Sequence, residues 1–210
     1  LISILTIVIL SYVVGSLPTG YIFAKFFRKV DIRTIGSGST GATNTMRLLG
    51  PKIAAIVLLI DALKGLFATM LIGRINLGDL AMPSAWLMMI AGMSAIAGHI
   101  FPVWIGFKGG KGIGTAAGML IGMLPLETAF ALAVFVVTVA TTKYISLGSI
   151  LASLYIFVAL LAERMIFGKF IEPAQILLGI VLSIIVLMTH RQNIKRLLKG
   201  TENRFVIKKN

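Results

Sequence analysis

The chain has 210 residues, 58% of them apolar, with a mean hydropathy of +0.99, a formal net charge of +13 and no cysteine. That composition excludes an ordinary water-soluble domain and at this length leaves room for one membrane-embedded unit, a single domain over residues 1–210. Disulfides and thiolate metal sites are excluded as well.

Roughly 20 apolar residues cross a bilayer core as a helix. Residues 1–24 form the first such run. No basic stretch precedes it, so a cleaved signal peptide is not expected, and Leu1 in place of Met points to a trimmed or edited start. Further runs follow at 53–73 (interrupted by Asp61 and Lys64), at 80–107, at 144–162 and, slightly short, at 173–189. The stretch 112–142 reads either as one long helix or as two short ones turning at Leu124-Pro125-Leu126-Glu127.

Charge decides between these, because Lys and Arg flanking spans collect on the cytoplasmic side. Lys64 lies inside a span and is left aside. Seven spans place 16 basic residues on one side: Lys25, Arg28, Lys29, Arg33, Arg47, Lys52, Lys108, Lys111, Lys143 and the seven of 191–209. Three, Arg74, Arg164 and Lys169, fall on the other. Six spans give 10 against 9. The expected fold is all-α integral membrane with seven transmembrane helices, the N-terminus outside, the C-terminus cytoplasmic, and two helices short or tilted. Of the acids, Asp79, Glu127, Glu163 and Glu172 map outside, and only Asp31 and Glu202 map inside. Such an inner face attracts anionic ligands and anionic lipid headgroups alike. Ile194, Leu197 and Leu198 share one helix face between basic residues, with Gly200 as a stop, so the tail is expected to form an interfacial helix.

Two glycine-rich segments, Gly36-Ser-Gly-Ser-Thr-Gly-Ala-Thr-Asn44 and Phe107-Lys-Gly-Gly-Lys-Gly-Ile-Gly-Thr115, fall on that inner face. Segments 141–146 and 190–193 join them there, so the site is expected to be assembled from four loops. Backbone N–H groups in such segments suit an anion. Gly36 to Gly41 fits G-x-G-x-x-G formally, but about 25 residues between two spans leave no room for the strand–turn–helix unit a dinucleotide site needs. A Walker loop is excluded because Gly112 follows Lys111 and Ile105 stands where its first glycine belongs. What remains is an anion nest with hydroxyls from Ser37, Ser39, Thr40 and Thr43, the Asn44 amide and the Arg47 guanidinium. In the second segment Lys108 and Lys111 flank Gly109-Gly110 ahead of a helix start near Gly112. A purely structural account, glycines permitting close packing or a tight turn, competes with this reading. Asp61 and Lys64, three apart on one helix face, read as an intramembrane ion pair holding helices together or lining a cavity floor.

The first segment, Gly98-His-Ile-Phe-Pro102 running into Phe107-Lys-Gly-Gly-Lys-Gly112, Tyr144-Ile-Ser146 and His190-Arg-Gln-Asn193-Ile-Lys-Arg-Leu-Leu resemble the bacterial membrane glycerol-3-phosphate acyltransferases that use acyl phosphate as donor. The likeness runs over essentially the whole chain, with Asp61-Ala-Leu-Lys64-Gly65 fitting too. Two positions depart from the family pattern: Ser39 stands where Asn is usual and Gly114 where Ala is usual. Neither removes a charge.

The resemblance implies transfer of a fatty acyl group from acyl phosphate to the 1-hydroxyl of sn-glycerol 3-phosphate, giving lysophosphatidic acid and phosphate. Both substrates carry a phosphate, which two basic nests suit, and the acyl chain needs apolar surface between helices. Ser37, Gly38, Gly41, Thr43, Asn44, Arg47, His99, Lys108, Gly109, Gly110, Lys111 and Arg191 are expected to bind substrate or phosphate. Ser146, His190 and Asn193 are expected to orient the hydroxyl or the carbonyl. Neither His99 nor His190 begins the His-x4-Asp pattern of thioester-using acyltransferases, since Trp104 and Lys195 stand at the acid position. No cofactor, metal or nucleic acid is expected, and nothing demands more than a monomer. Membrane lipids are expected partners, in a bacterial cytoplasmic (inner) membrane with the active site facing the cytoplasm. An organic-phosphate transporter or flippase is the alternative, but it commonly shows internal repeats and a midplane site, and neither is seen here.

Overall fold

The computed structural model describes residues 1–78 and 81–205, and among these all regular structure is helical. Asp79, Leu80, Lys208 and Lys209, used above for topology, lie outside the described residues. The chain divides into two compact units, Leu1–Met123 and Leu124–Asn210.

The first unit holds α1 (Ile2–Gly15), α2 (Thr19–Arg28), α3 (Ala42–Leu49), α4 (Pro51–Met70), α5 (Ser84–Ile100) and α6 (Ile113–Met123). The first apolar run is thus broken at Ser16-Leu17-Pro18, where proline has no N–H to continue the ladder. α1 packs on α5, and α4 packs on both α5 and α6. Small residues permit this: a Cβ on Gly15 would strike the Ala95 backbone, one on Gly65 the Thr115 carbonyl, and one on Gly118 the Ala62 carbonyl. Backbones in such contact exchange dispersion attraction that lipid tails cannot supply, which is how helices associate without a hydrophobic driving force. Ile7, Ala68, Ile72, Leu87, Ala91 and Ala95 form the buried apolar cluster between them. Outward faces carry Leu5, Ile9, Leu58 and Leu59, all exposed, a surface stable against hydrocarbon and not against water.

The second unit holds α7 (Pro125–Thr142), α8 (Ile145–Met165), α9 (Pro173–Thr189) and α10 (Arg191–Leu198), with α8 packed on both α7 and α9. Stretch 112–142 is two helices, α6 ending at Met123 and α7 opening on Pro125 at its first turn, a position proline favours. Lys143, in the left-handed region at φ 65°, closes α7 and lets the chain turn into α8. Glu172 and Gln175 form a reciprocal capping box at the start of α9. The basic tail forms α10, set at 64° to α9, and Gly200 follows at φ 68°.

Among the described residues five stretches are long and apolar enough to cross a membrane: Ile2–Arg28, Pro51–Arg74, Ser84–Ile105, Pro125–Thr142 and Ile145–Met165. The bent pair Pro173–Thr189 with Arg191–Leu198 makes a sixth if it counts as one span. α6, with 11 residues, is roughly 16 Å long against a hydrocarbon core of about 30 Å.

Gly65→Val drives a branched side chain into the Thr115 backbone, so it should destabilise the protein by about 1–3 kcal/mol. Leu59→Ala, on an outward face, should leave stability nearly unchanged. Thermal unfolding in detergent, followed by tryptophan fluorescence, reads both.

Candidate active site

The first glycine segment is shaped from within by Asn44, in the first turn of α3 and almost wholly buried. Its Nδ2 donates to the carbonyls of Ile32 (3.1 Å), Ile35 (2.9 Å) and Ser39 (3.0 Å), and its Oδ1 accepts from Ser37 N at 3.1 Å. The amide thus holds the loop closed and its polar atoms point into it. Gly36 and Gly38 take φ of 59° and 70°, and a Cβ on Gly36 would collide with Asn44 Oδ1. Here glycine is required on both counts. Ser39 Oγ accepts from Gly41 N at 3.3 Å, a short-range bond that an asparagine side chain also makes. Ser37 is exposed and Gly38, Gly41 and Thr43 half-buried at the entrance to α3, while Arg47, exposed, stands in its last turn.

The second segment is pressed against the end of α5. Gly109 N donates to Ile100 O and Gly110 N to His99 O, each at 3.1 Å. A Cβ on Gly109 would strike His99 O, and one on Gly110 would strike the His99 ring at Nε2. The packing account of these glycines is therefore correct as far as it goes. The chain then turns through Gly112 at φ 82° into α6. Lys108 is exposed and Lys111 half-buried. At Gly114 an alanine Cβ would sit 3.0 Å from Asp61 Cβ and 3.2 Å from Leu58 Cδ1, so the smaller residue eases a tight contact.

Two bonds tie the segments together. Thr40 N donates to Gly109 O at 3.5 Å, and Arg33 Nη1 donates to Ile105 O at 2.6 Å. Arg33 is itself held by Asp31, with Nη2 to Oδ2 at 2.7 Å and Nε to Oδ1 at 3.0 Å, and its guanidinium lies over the Tyr21 ring. The Arg33 hydrogen bonds hold the Asp31 carboxyl down at about 2, while Asp31 raises the Arg33 guanidinium. In the sequence both residues register only as topological charge. The available signal was their spacing, an acid two residues before an arginine at the mouth of a glycine loop.

Beneath the second segment lies the ion pair expected from residues 61 and 64. Lys64 Nζ is 2.8 Å from Asp61 Oδ1, 2.9 Å from His99 Nδ1 and 3.1 Å from Leu17 O, and Thr19 Oγ1 donates to Asp61 Oδ1 at 3.2 Å. All of these side chains are buried.

The second unit holds Ser146, His190, Arg191 and Asn193. Ser146 Oγ and Asn193 Nδ2 donate to Glu202 Oε1 at 2.9 and 2.6 Å, and Arg196 Nε donates to Oε2 at 2.7 Å. Burial pushes the Glu202 carboxyl up, and the bonds from Asn193, Arg196 and Ser146 outweigh it, leaving it below the usual glutamate range. The 201–205 strand of chain that carries it is pinned by Phe205 N donating to Lys143 O at 2.6 Å. Glu202 was missed as a site residue, its only signal being a lone acid in a basic tail. His190, buried where α9 meets α10, donates from Nδ1 to Val186 O at 2.9 Å. Arg191 is exposed.

A family model described as glycerol-3-phosphate acyltransferase matches residues 5–200. A protein of that name from Geobacter sulfurreducens is 43% identical over 93% of this chain and 94% of its own. One from Chlorobium phaeobacteroides is 38% identical over 97% of each. Among solved structures, the integral membrane glycerol 3-phosphate acyltransferase PlsY (YgiH) in its glycerol 3-phosphate form superposes with a TM-score of 0.84 at 35% identity, covering 97% of this chain and 96% of that one. Its lysophosphatidic acid form gives 0.81 at 33% identity, covering 98% and 96%. Near-complete coverage at this identity, on a helical fold carrying both glycine segments, places the chain in the glycerol-3-phosphate acyltransferase family.

Proposed function

We propose that this chain is a bacterial membrane acyltransferase moving a fatty acyl group from acyl phosphate to the 1-hydroxyl of sn-glycerol 3-phosphate, releasing lysophosphatidic acid and inorganic phosphate as the first step of phospholipid synthesis. The observation that carries this reading is the bracing of two glycine segments against each other by Thr40–Gly109 and Arg33–Ile105, with Arg47, Lys108 and Lys111 around them. Cations so held suit phosphate oxygens. The glycerol 3-phosphate and lysophosphatidic acid forms of the similar solved protein supply the acceptor and the product. The acyl phosphate donor follows from the family resemblance and from the need for a second anion nest.

The acceptor hydroxyl oxygen attacks the carbonyl carbon of the mixed anhydride. The bond from that carbon to the phosphate oxygen breaks, phosphate leaves with the electron pair, and the hydroxyl proton passes to a phosphate oxygen. A mixed anhydride is already activated, so holding the reactants and stabilising charge carry much of the rate. Lys108, Lys111, Arg47 and the Ser37 hydroxyl bind phosphate, with Thr43 and His99 beside them, while Gly38, Gly41, Gly109 and Gly110 shape the two segments, their amides already donating to Ile35 O, Ser39 Oγ, Ile100 O and His99 O. Asn44 acts by keeping its loop in shape. In the second unit Ser146, His190 and Asn193 make polar contacts that orient substrate, with Arg191 adding positive charge, and Glu202 positions Ser146 and Asn193. Seven spans with the N-terminus outside and this face cytoplasmic, in the inner membrane, fit the distribution of 16 basic residues against three. α6 is then a short span, and residues 1–210 act as one domain and as a monomer among membrane lipids.

Purified protein in detergent, given acyl phosphate and glycerol 3-phosphate, should release phosphate and form a monoacyl product; counterflow without chemistry would show a transporter instead. Lys108→Ala and Lys111→Ala should each lower kcat/KM roughly 10- to 100-fold through a raised KM, the loss of one charged hydrogen bond. Because substrate phosphate takes the proton, His190→Gln should keep measurable turnover; abolished turnover with binding of both substrates intact contradicts that route. Glu202, with its folded value below the unfolded one of about 4.3, contributes stability that is fully present above that pH and is lost as pH falls below it. Glu202→Gln should lower the unfolding midpoint at neutral pH and remove that acid-side decline, seen by comparing melting curves across pH.

A further inference from the structure

Lys64 Nζ has three neighbours at hydrogen-bond distance: Asp61 Oδ1 at 2.8 Å, His99 Nδ1 at 2.9 Å and Leu17 O at 3.1 Å. An ammonium has three hydrogens to donate and no lone pair to accept with. Two of its partners, a carboxylate and a carbonyl, are acceptors only, and the third, His99 Nδ1, completes the set if it carries a lone pair. The competing arrangement gives Nδ1 a hydrogen directed at Asp61 Oδ1. That contact is 3.5 Å, the same oxygen already receives Lys64 and Thr19, and a hydrogen on Nδ1 would face the ammonium at 2.9 Å. The other ring nitrogen lies against Gly110, where any Cβ would collide with it.

We propose that the buried Asp61–Lys64 pair is a positioning device that holds His99 in the tautomer carrying its hydrogen on Nε2, making His99 an N–H donor at the Gly109-Gly110 segment. Which nitrogen of a histidine bears the proton is set by the bond the other makes, and a donor aimed at the phosphate segment serves an anion where a lone pair would repel it. Lys64 and Asp61 act through His99 and do not touch substrate. The anion-binding part of this inference rests on the acyltransferase reading; the tautomer does not.

The test is nitrogen NMR of 15N-histidine-labelled protein in detergent micelles. The chain has two histidines, so the signals lost in His190→Gln are those of His190 and the others belong to His99. Expected at neutral pH are a protonated, pyrrole-type Nε2 and an unprotonated, pyridine-type Nδ1; a hydrogen on Nδ1, or on both nitrogens, overturns the proposal. Lys64→Met combined with Asp61→Asn, which leaves no buried unpaired charge, should give mixed tautomers and lower kcat/KM roughly 10- to 100-fold, the usual range for loss of a supporting partner. Lys64→Arg alone should restore part of the Nε2–H population. An unchanged tautomer in the double variant overturns the device even if activity falls. Should that variant not fold, the wild-type spectrum alone decides. Wild-type protein with the expected tautomer but no acyl transfer would defeat the functional reading and leave the tautomer standing.

Discussion

An ammonium group in apolar surroundings is tolerated only when its hydrogens have acceptors, and satisfying Lys64 draws much of the first unit to one point. Its partners come from the α1–α2 break, from α4 and from the end of α5. The Leu17 carbonyl lies in the break before α2, where it accepts from Thr19 N at 3.0 Å and from Lys64, so the break that shortens α1 also completes the lysine. Water does not relieve an unpaired group at such a place, which makes the arrangement close to all-or-none. The end of α5, held this way, is the surface on which the second glycine segment lies.

The two glycine segments obey different constraints. Gly36 and Gly38 are needed for a left-handed backbone around the Asn44 amide. Gly109 and Gly110 are needed because the His99 backbone and ring leave no space for a side chain. Packing accounts for both glycines of the second segment. The close approach that forbids a Cβ also lets the Gly109 and Gly110 amides donate to the last carbonyls of α5, which fixes the course of the segment that carries Lys108 and Lys111. Arg33 joins the two segments by a bond to Ile105 while Asp31 neutralises it, so one cation in a strongly basic region serves as a brace.

In the second unit one carboxylate does the comparable work. Glu202 gathers Ser146, Asn193 and Arg196, and its charge is maintained by their hydrogen bonds against the effect of burial. A serine and an amide held by a shared acceptor lose the rotamer freedom they would otherwise give up on meeting a ligand. The acid is contributed by a segment beyond the last helix, which explains why a tail that reads as lipid-binding charge carries an architectural residue.

Much of this was legible in the order of residues. Apolar run lengths marked the long helices, Pro125 marked the turn between α6 and α7, the spacing of Asp61 and Lys64 marked their ion pair, and Ile194, Leu197 and Gly200 marked a short tail helix. Those are local properties, set by neighbours within one or two turns. Not legible were the break at Pro18 as a source of an acceptor, the inward use of Asn44, the Arg33 brace and the Glu202 hub. Each joins atoms from separate elements, 72 positions apart for Arg33 and Ile105 and 56 for Ser146 and Glu202. The sequence by itself determined that the chain is a helical membrane protein with two glycine-rich turns, because hydropathy and glycine spacing act locally. Only the tertiary structure decided which polar groups are committed to holding another side chain or a loop carbonyl, because in a buried setting that choice depends on which acceptors the packing of distant segments supplies.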